Sequence, residues 1–165
     1  MKRMICLAAA VLLFGPLQVR AEDVTVTYKS IAPDTALDLA KTALGDCRTR
    51  GYQVSVVVLD RFGQQLVLLR DRFAGLAASA TANDKAYTAL NFHMASGEFA
   101  KSIQGGQLSA GLGSLPHILP LAGGLVIEAG GTVLGAVGVA GAPGGDKDEA
   151  CAKAGLDSIR DKLDF

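Results

Sequence analysis

Tryptophan is absent from the sequence, and tyrosine and phenylalanine together number only nine of 165 residues. A core built around large aromatic anchors is therefore excluded. Half of the chain is nevertheless hydrophobic, so packing must rely on Ala, Val and Leu and on close backbone approach. Histidine occurs twice, at His93 and His117. Two histidines far apart, with no cysteine or carboxylate cluster beside them, exclude a structural zinc site. Neither CxxCH nor GxSxG occurs, which excludes covalent haem attachment and a nucleophile elbow. Surplus positive charge is missing too, with 16 basic and 16 acidic residues. Nucleic acid is thus not an expected partner, since no net positive charge attracts a phosphate backbone.

The first residues carry a different message. Lys2 and Arg3 precede an apolar run from Met4 to Leu17, and Val19-Arg20-Ala21 stands before the acidic Glu22-Asp23. A charged start, an apolar middle and a small residue before the cut describe a secretory signal peptide over residues 1–21. The run is too short for a stable membrane span, so no span is expected in the mature form. Removal leaves 13 basic against 16 acidic residues and one domain over residues 22–165. The expected location is periplasmic or secreted. Cys6 leaves with the signal, and Cys47 and Cys151 remain. Two cysteines in an exported chain point to one disulfide, with two separate buried thiols as the alternative.

Periodicity places the elements. Val24, Val26 and Tyr28 alternate, which predicts a short strand or an extended arm. Residues 32–51 read as a helix opened by Pro33 and ended by Gly51, with Cys47 on its packed face. Residues 52–72 read as a hairpin whose turn is bracketed by Asp60 and Gly63. A second helix is predicted over residues 79–95, with Ala82, Ala86, Ala89, Leu90 and His93 on one apolar stripe. Lys85, Tyr87 and Asn91 form a polar edge, read as a solvated face. Ser96 starts a short further helical turn, and a loop runs to Pro120. A glycine-rich hairpin over residues 123–141 and a last helix over residues 142–163 close the chain, the helix opened by Asp146 or Asp148.

Residues 115–149 are crowded with glycine, yet they do not form a phosphate loop. The lysine in "GGDKDE" is ringed by acids, and Gly135, Gly138 and Gly141 are spaced GxxGxxG inside or at the end of a strand. Glycines in a strand mark close approach, either by a packed helix or by a flat ligand. Gly123 and Gly124, after a proline-bounded loop, are open to both readings. His117 sits in "LPHILP" between Pro116 and Pro120, where a stiffened apolar loop holds an imidazole able to ligate a haem iron. The alternative is a surface histidine. His93 reads as a neutral core histidine or as one facing the negative end of its helix.

Several short motifs, in order, resemble one family. They are Asp60 with Gly63; Lys85, Ala86, Thr88 and Ala89; Gly123, Gly124 and Ile127; Gly135, Ala136, Gly138, Val139 and Gly141; and Asp148. Together they are similar to the GlcG/HbpS-like haem-binding proteins. Val126 and Ala140 depart from the family pattern, which has proline and serine there. The resemblance implies an α+β fold, a three-layer α/β/α arrangement around an antiparallel sheet like that of profilin-like domains. It also implies homo-oligomers that bind haem or a related tetrapyrrole. The leading expectation is an exported haem-binding protein for haem storage, sensing or transfer. His117 is the expected iron ligand and His93 the alternative. Arg70, Arg72 or Lys85 would pair with propionates, and Gly123 and Gly124 would lie near the ligand. The other readings are a haem-degrading or other small-molecule enzyme, and a non-catalytic accessory protein bound to a periplasmic partner.

Overall fold

The computed structural model describes residues 24–163. The expected signal peptide and Cys6 lie outside them. Four α-helices and a four-stranded antiparallel sheet form an α+β domain. They are α1 (Pro33–Thr49), α2 (Ala78–Phe92), α3 (Ser96–Gln104) and α4 (Gly145–Ser158), with strands β1 (Ser55–Asp60), β2 (Gln65–Arg70), β3 (Gly124–Ala129) and β4 (Thr132–Ala140). The strand order is β2-β1-β4-β3. The sequence alone therefore anticipated two hairpins; the sheet joins them through β1 and β4, pairing Val56 with Val139 and Val58 with Val137.

Helices cover both faces of that sheet. On one face α1 and α4 bury Leu39, Ala40, Ala43, Cys151 and Ala152 against Val56, Val58, Val137 and Val139. On the other, Ala82, Ala86 and Ala89 of α2 meet Val57, Leu59, Ala136 and Ala140. Successive strand side chains point to opposite faces. With both faces covered, β1 is apolar at successive positions from Val56 to Leu59 rather than only at alternate ones. The small residues have a direct structural cause. A Cβ added at Gly138 would stand 2.0 Å from the Ala82 carbonyl oxygen, so α2 lies on the backbone of β4 itself.

The first hairpin turns as its sequence implies. Asp60 Oδ1 accepts the Phe62 and Gln64 backbone N–H groups at 2.8 and 2.9 Å, and Gly63 takes φ +79°. Residues 24–29 form no strand. Val24 and Val26 are exposed, while Ile31 is buried and its N–H donates to the Leu134 carbonyl at 3.0 Å. The end of this segment rests on the first hairpin, where the Tyr28 ring meets Phe62 edge-on at 5.4 Å and Arg61 Nη1 donates to the Lys29 carbonyl at 3.0 Å.

Cys47 and Cys151 form a disulfide with Cα atoms 5.5 Å apart, joining α1 to α4. It spans a sequence separation of 104 residues. Loop-closure entropy for such a span contributes about 4–5 kcal/mol in the chain-entropy account. Among the described residues no helix is long and apolar enough to cross a membrane. Replacing both cysteines by alanine should lower the free energy of unfolding by about 4 kcal/mol in urea, checked against the oxidised protein. Equal midpoints for the two proteins would refute a stapling role.

Candidate functional site

The outer surface of α2 carries the candidate site. Asp84, Tyr87 and Asn91 recur at helical spacing on it. The loop after the 3₁₀ turn Ala110–Ser114 crosses this surface and is pinned there. The Leu119 N–H donates to Thr88 Oγ1 at 2.7 Å, while Thr88 Oγ1 donates to the Asp84 carbonyl at 2.7 Å. Ile118 is buried beneath the loop. Held on both sides, His117 sits with its side chain 66% exposed and its backbone at φ +62°. Its Nδ1 lies 3.3 Å from Asp84 Oδ1, and its ring meets the Tyr87 ring edge-on at 5.9 Å. An ionised carboxylate only accepts, so Nδ1 is the donor in this contact, and in the neutral imidazole the lone pair is then on Nε2.

Tyr87 also borders a second feature. A groove of about 270 Å³ is lined by Arg61, Phe62, Gly63, Tyr87, Leu90, Asn91 and His93. Its volume lies just below the ~300–1,000 Å³ of typical ligand pockets, a size that would hold one edge of a ligand rather than enclose it. His93 is not on the apolar stripe that the sequence suggests. It is the exposed C-cap of α2 at φ +53°, where the helix reverses and turns the ring outward. His93 and His117 are the two non-glycine residues at positive φ among the described residues. Left-handed backbone outside glycine costs energy and concentrates where a site needs it.

Lys85 overturns the reading of a solvated polar edge. Its side chain is 3% exposed and points inward, away from Tyr87. Its Nζ donates to Asp148 Oδ2 at 2.6 Å and to the Val139 carbonyl at 3.1 Å. Asp148 Oδ1 accepts the Ala142 N–H at 2.9 Å. Asp148 therefore does not cap α4. Gly144 is the N-cap, with no side-chain cap bond, and the carboxylate turns from the first helical turn into the interior. Burial pushes the Asp148 carboxyl above its ordinary value, while Lys85 and the Ala142 N–H pull it back. A carboxyl raised in this way is easier to protonate folded than unfolded. Its ionised form thus weighs against stability above the ordinary carboxylate range, and that cost fades as pH falls through it.

Gly123 and Gly124 make room for this interior. A Cβ at Gly124 would stand 2.0 Å from the Lys85 carbonyl oxygen, and one at Gly123 would meet Val139 O, Asp148 Cβ and Lys85 Nζ within 3 Å. Ser96 Oγ accepts the Gly124 N–H at 2.8 Å and donates to Leu121 O at 2.6 Å. Arg70 and Arg72 are not brought to the histidines either. They stand at the open end of the β1–β2 hairpin, in a cleft with Arg48, Gln53 and Asp71, whereas the groove beside His93 includes Gly63 at the turn. A six-residue strand separates the two ends by roughly 17–20 Å. Sequence reading missed Asp84 because its partner lies 33 residues away, a separation that carries no local signal.

Comparison with known proteins places the chain in a family. The profile of the family described as "Haem degrading protein HbpS-like" matches residues 31–157. The chain belongs to the HbpS-like family. HbpS itself is similar at 34% identity with a TM-score of 0.79, covering 84% of this chain and 96% of that one. A double mutant of HbpS from Streptomyces reticuli matches at 34% identity and TM-score 0.77, over 88% and 97% of the two chains. A protein ORFY from Klebsiella pneumoniae shows 25% identity and a TM-score of 0.79 over 85% and 97%. No curated protein sequence matches significantly.

The buried ion pair generates a quantitative expectation. Lys85→Met should destabilise the protein by about 3–5 kcal/mol, because Asp148 is left charged and unpaired inside. Lys85→Met with Asp148→Asn should cost less than the sum of the single changes by at least about 1 kcal/mol, read from urea unfolding. Strict additivity would show that the pair is not coupled.

Proposed function

We propose that this HbpS-like chain is an exported haem-binding protein for haem storage, sensing or transfer, with His117 as the iron ligand through Nε2. The observation that carries the reading is the His117–Asp84 pair. A metal-ligating imidazole commonly gives its other ring N–H to a carboxylate, which fixes the tautomer and raises the basicity of the ligating nitrogen. Nδ1 of His117 lies 3.3 Å from Asp84 Oδ1, and the side chain is 66% exposed, open to an incoming ligand. Tyr87 and exposed Phe62 add aromatic surface for the edge of a flat macrocycle. His93, which lines the groove that Tyr87 borders, is the alternative ligand. Haem would supply its own iron chemistry; the chain's part is to hold the imidazole tautomer and to offer aromatic walls.

Export is supported by the Cys47–Cys151 disulfide, a bond that persists in oxidising compartments, and by the layout of residues 1–21. Assembly into homo-oligomers is supported by Phe73 and Leu76, which expose 76% and 100% of their surface within one loop. Arg70, Arg72 and Lys85 take no part in this reading, the first two by position and the third by burial. The family description favours haem degradation as the second reading.

Haemin titration followed at the Soret band tests the assignment. The wild type should saturate near one haem per chain. His117→Ala should abolish the ligand-dependent shift, and Asp84→Asn should weaken binding by about 10-fold or more. His93→Ala should bind as the wild type does. An unsaturable titration would remove haem from the reading, and an unchanged His117→Ala spectrum would remove the ligand. Bilin-like products or released iron under peroxide would move the function to the degrading enzyme.

A further inference from the structure

The cleft at the open end of the first hairpin is a second site, built for an anion. It measures about 640 Å³ and is lined by Arg48, Gln53, Arg70, Asp71 and Arg72. Three guanidinium groups face one carboxylate there, so two positive charges remain uncompensated. Asp71 is 4% exposed and fixed by its backbone, since its N–H donates to Val54 O at 2.9 Å. Arg48 places both Nε and Nη2 on Asp71 Oδ1, with Nε at 2.8 Å. Asp71 Oδ2 has no hydrogen-bond partner among the described residues, although it is fully buried. A buried acceptor without a donor is a costly arrangement, and Asp71 lines the cleft, so an occupant that displaces the side chains shielding Oδ2 can supply the donor. Arg70 and Arg72 are exposed; Arg70 gives one N–H to the Ala74 carbonyl, and Arg72 lies 5.4 Å from the Phe73 ring.

An occupant must answer both features. It must be an anion, to meet the arginines, and it must carry its own proton donor, to meet Asp71 Oδ2. Sulfate satisfies the first condition only, because it has no O–H at neutral pH and would bring like charge to the carboxylate. Hydrogenphosphate satisfies both: its charged oxygens accept from guanidinium groups while its P–OH donates to the aspartate. We infer that the Arg48–Arg70–Asp71–Arg72 cleft binds inorganic hydrogenphosphate and rejects sulfate. The site is independent of the haem reading, since its lining shares no residue with the groove beside Tyr87 and His93 and does not include His117.

Calorimetric titration of the oxidised protein with sodium phosphate and with sodium sulfate, at pH 7 and equal ionic strength, tests this directly. Phosphate should bind saturably and sulfate should bind at least about 10-fold more weakly, because a site built to receive a hydroxyl discriminates against an analogue without one. Arg72→Gln, a change of an exposed side chain, should weaken phosphate about 10-fold and leave the haemin titration unchanged. Asp71→Asn should bring the two anions close to equal affinity. The contrast between anions on the wild type decides the matter if that variant fails to fold. Absence of a saturable phosphate heat, or sulfate binding as tightly as phosphate, would overturn the inference. So would an Arg72→Gln protein that lost haemin affinity and kept its phosphate response, since the arginines would then serve propionates.

Discussion

The arrangement depends on one buried ion pair. Lys85 belongs to α2 on one face of the sheet, and Asp148 belongs to α4 on the other. They meet where β4 ends, with Val139 O and the Ala142 N–H supplying the remaining bonds. The pair thus ties the two helical layers together around the edge of the chain reversal from β4 into α4. Taking both charges out of water is expensive, and what such a pair contributes is geometry more than net stability. Small residues make that geometry attainable. Gly123, Gly124 and Gly138 let a lysine, a serine and a whole helix backbone approach within distances that a side chain would forbid.

From the inward lysine follows the outward face. Asp84 is one residue before Lys85, and Tyr87 two after it, so fixing Lys85 fixes the angle at which both are presented. The loop carrying His117 then finds Thr88 and Asp84 at set positions, and the imidazole is oriented by the same helix rotation that buries the ion pair. On the other side of the sheet the Cys47–Cys151 bond holds α1 against α4. It also fixes the end of α1, where Arg48 reaches Asp71. One staple is ionic and one covalent, and each supports a different surface cleft.

Much of the fold was legible from local pattern. Pro33 and Gly51 bracket α1 within two residues, Asp60 and Gly63 make the turn their chemistry demands, and the alanine spacing marks the buried side of α2. The misreadings share a cause. Lys85 resembled a solvated residue because a lysine's own sequence context does not reveal a carboxylate 63 residues away. Asp148 resembled a helix cap because its position suits one, until a buried cation offered a stronger partner. His93 sat at the right spacing for the apolar stripe, but the helix ends at Phe92 and the ring leaves the stripe with it.

The sequence alone determined the element types, the cysteine pair available for a bond, the shortage of aromatic core and the ordered motifs of the HbpS-like family. These follow from periodicity and residue chemistry, which act over a few positions. The tertiary structure decided which groups meet: His117 with Asp84, Lys85 with Asp148, and Arg48 with Asp71. Those contacts join residues 23 to 63 positions apart. They arise from the crossing of helices over a twisted sheet, and no local rule encodes where that crossing falls.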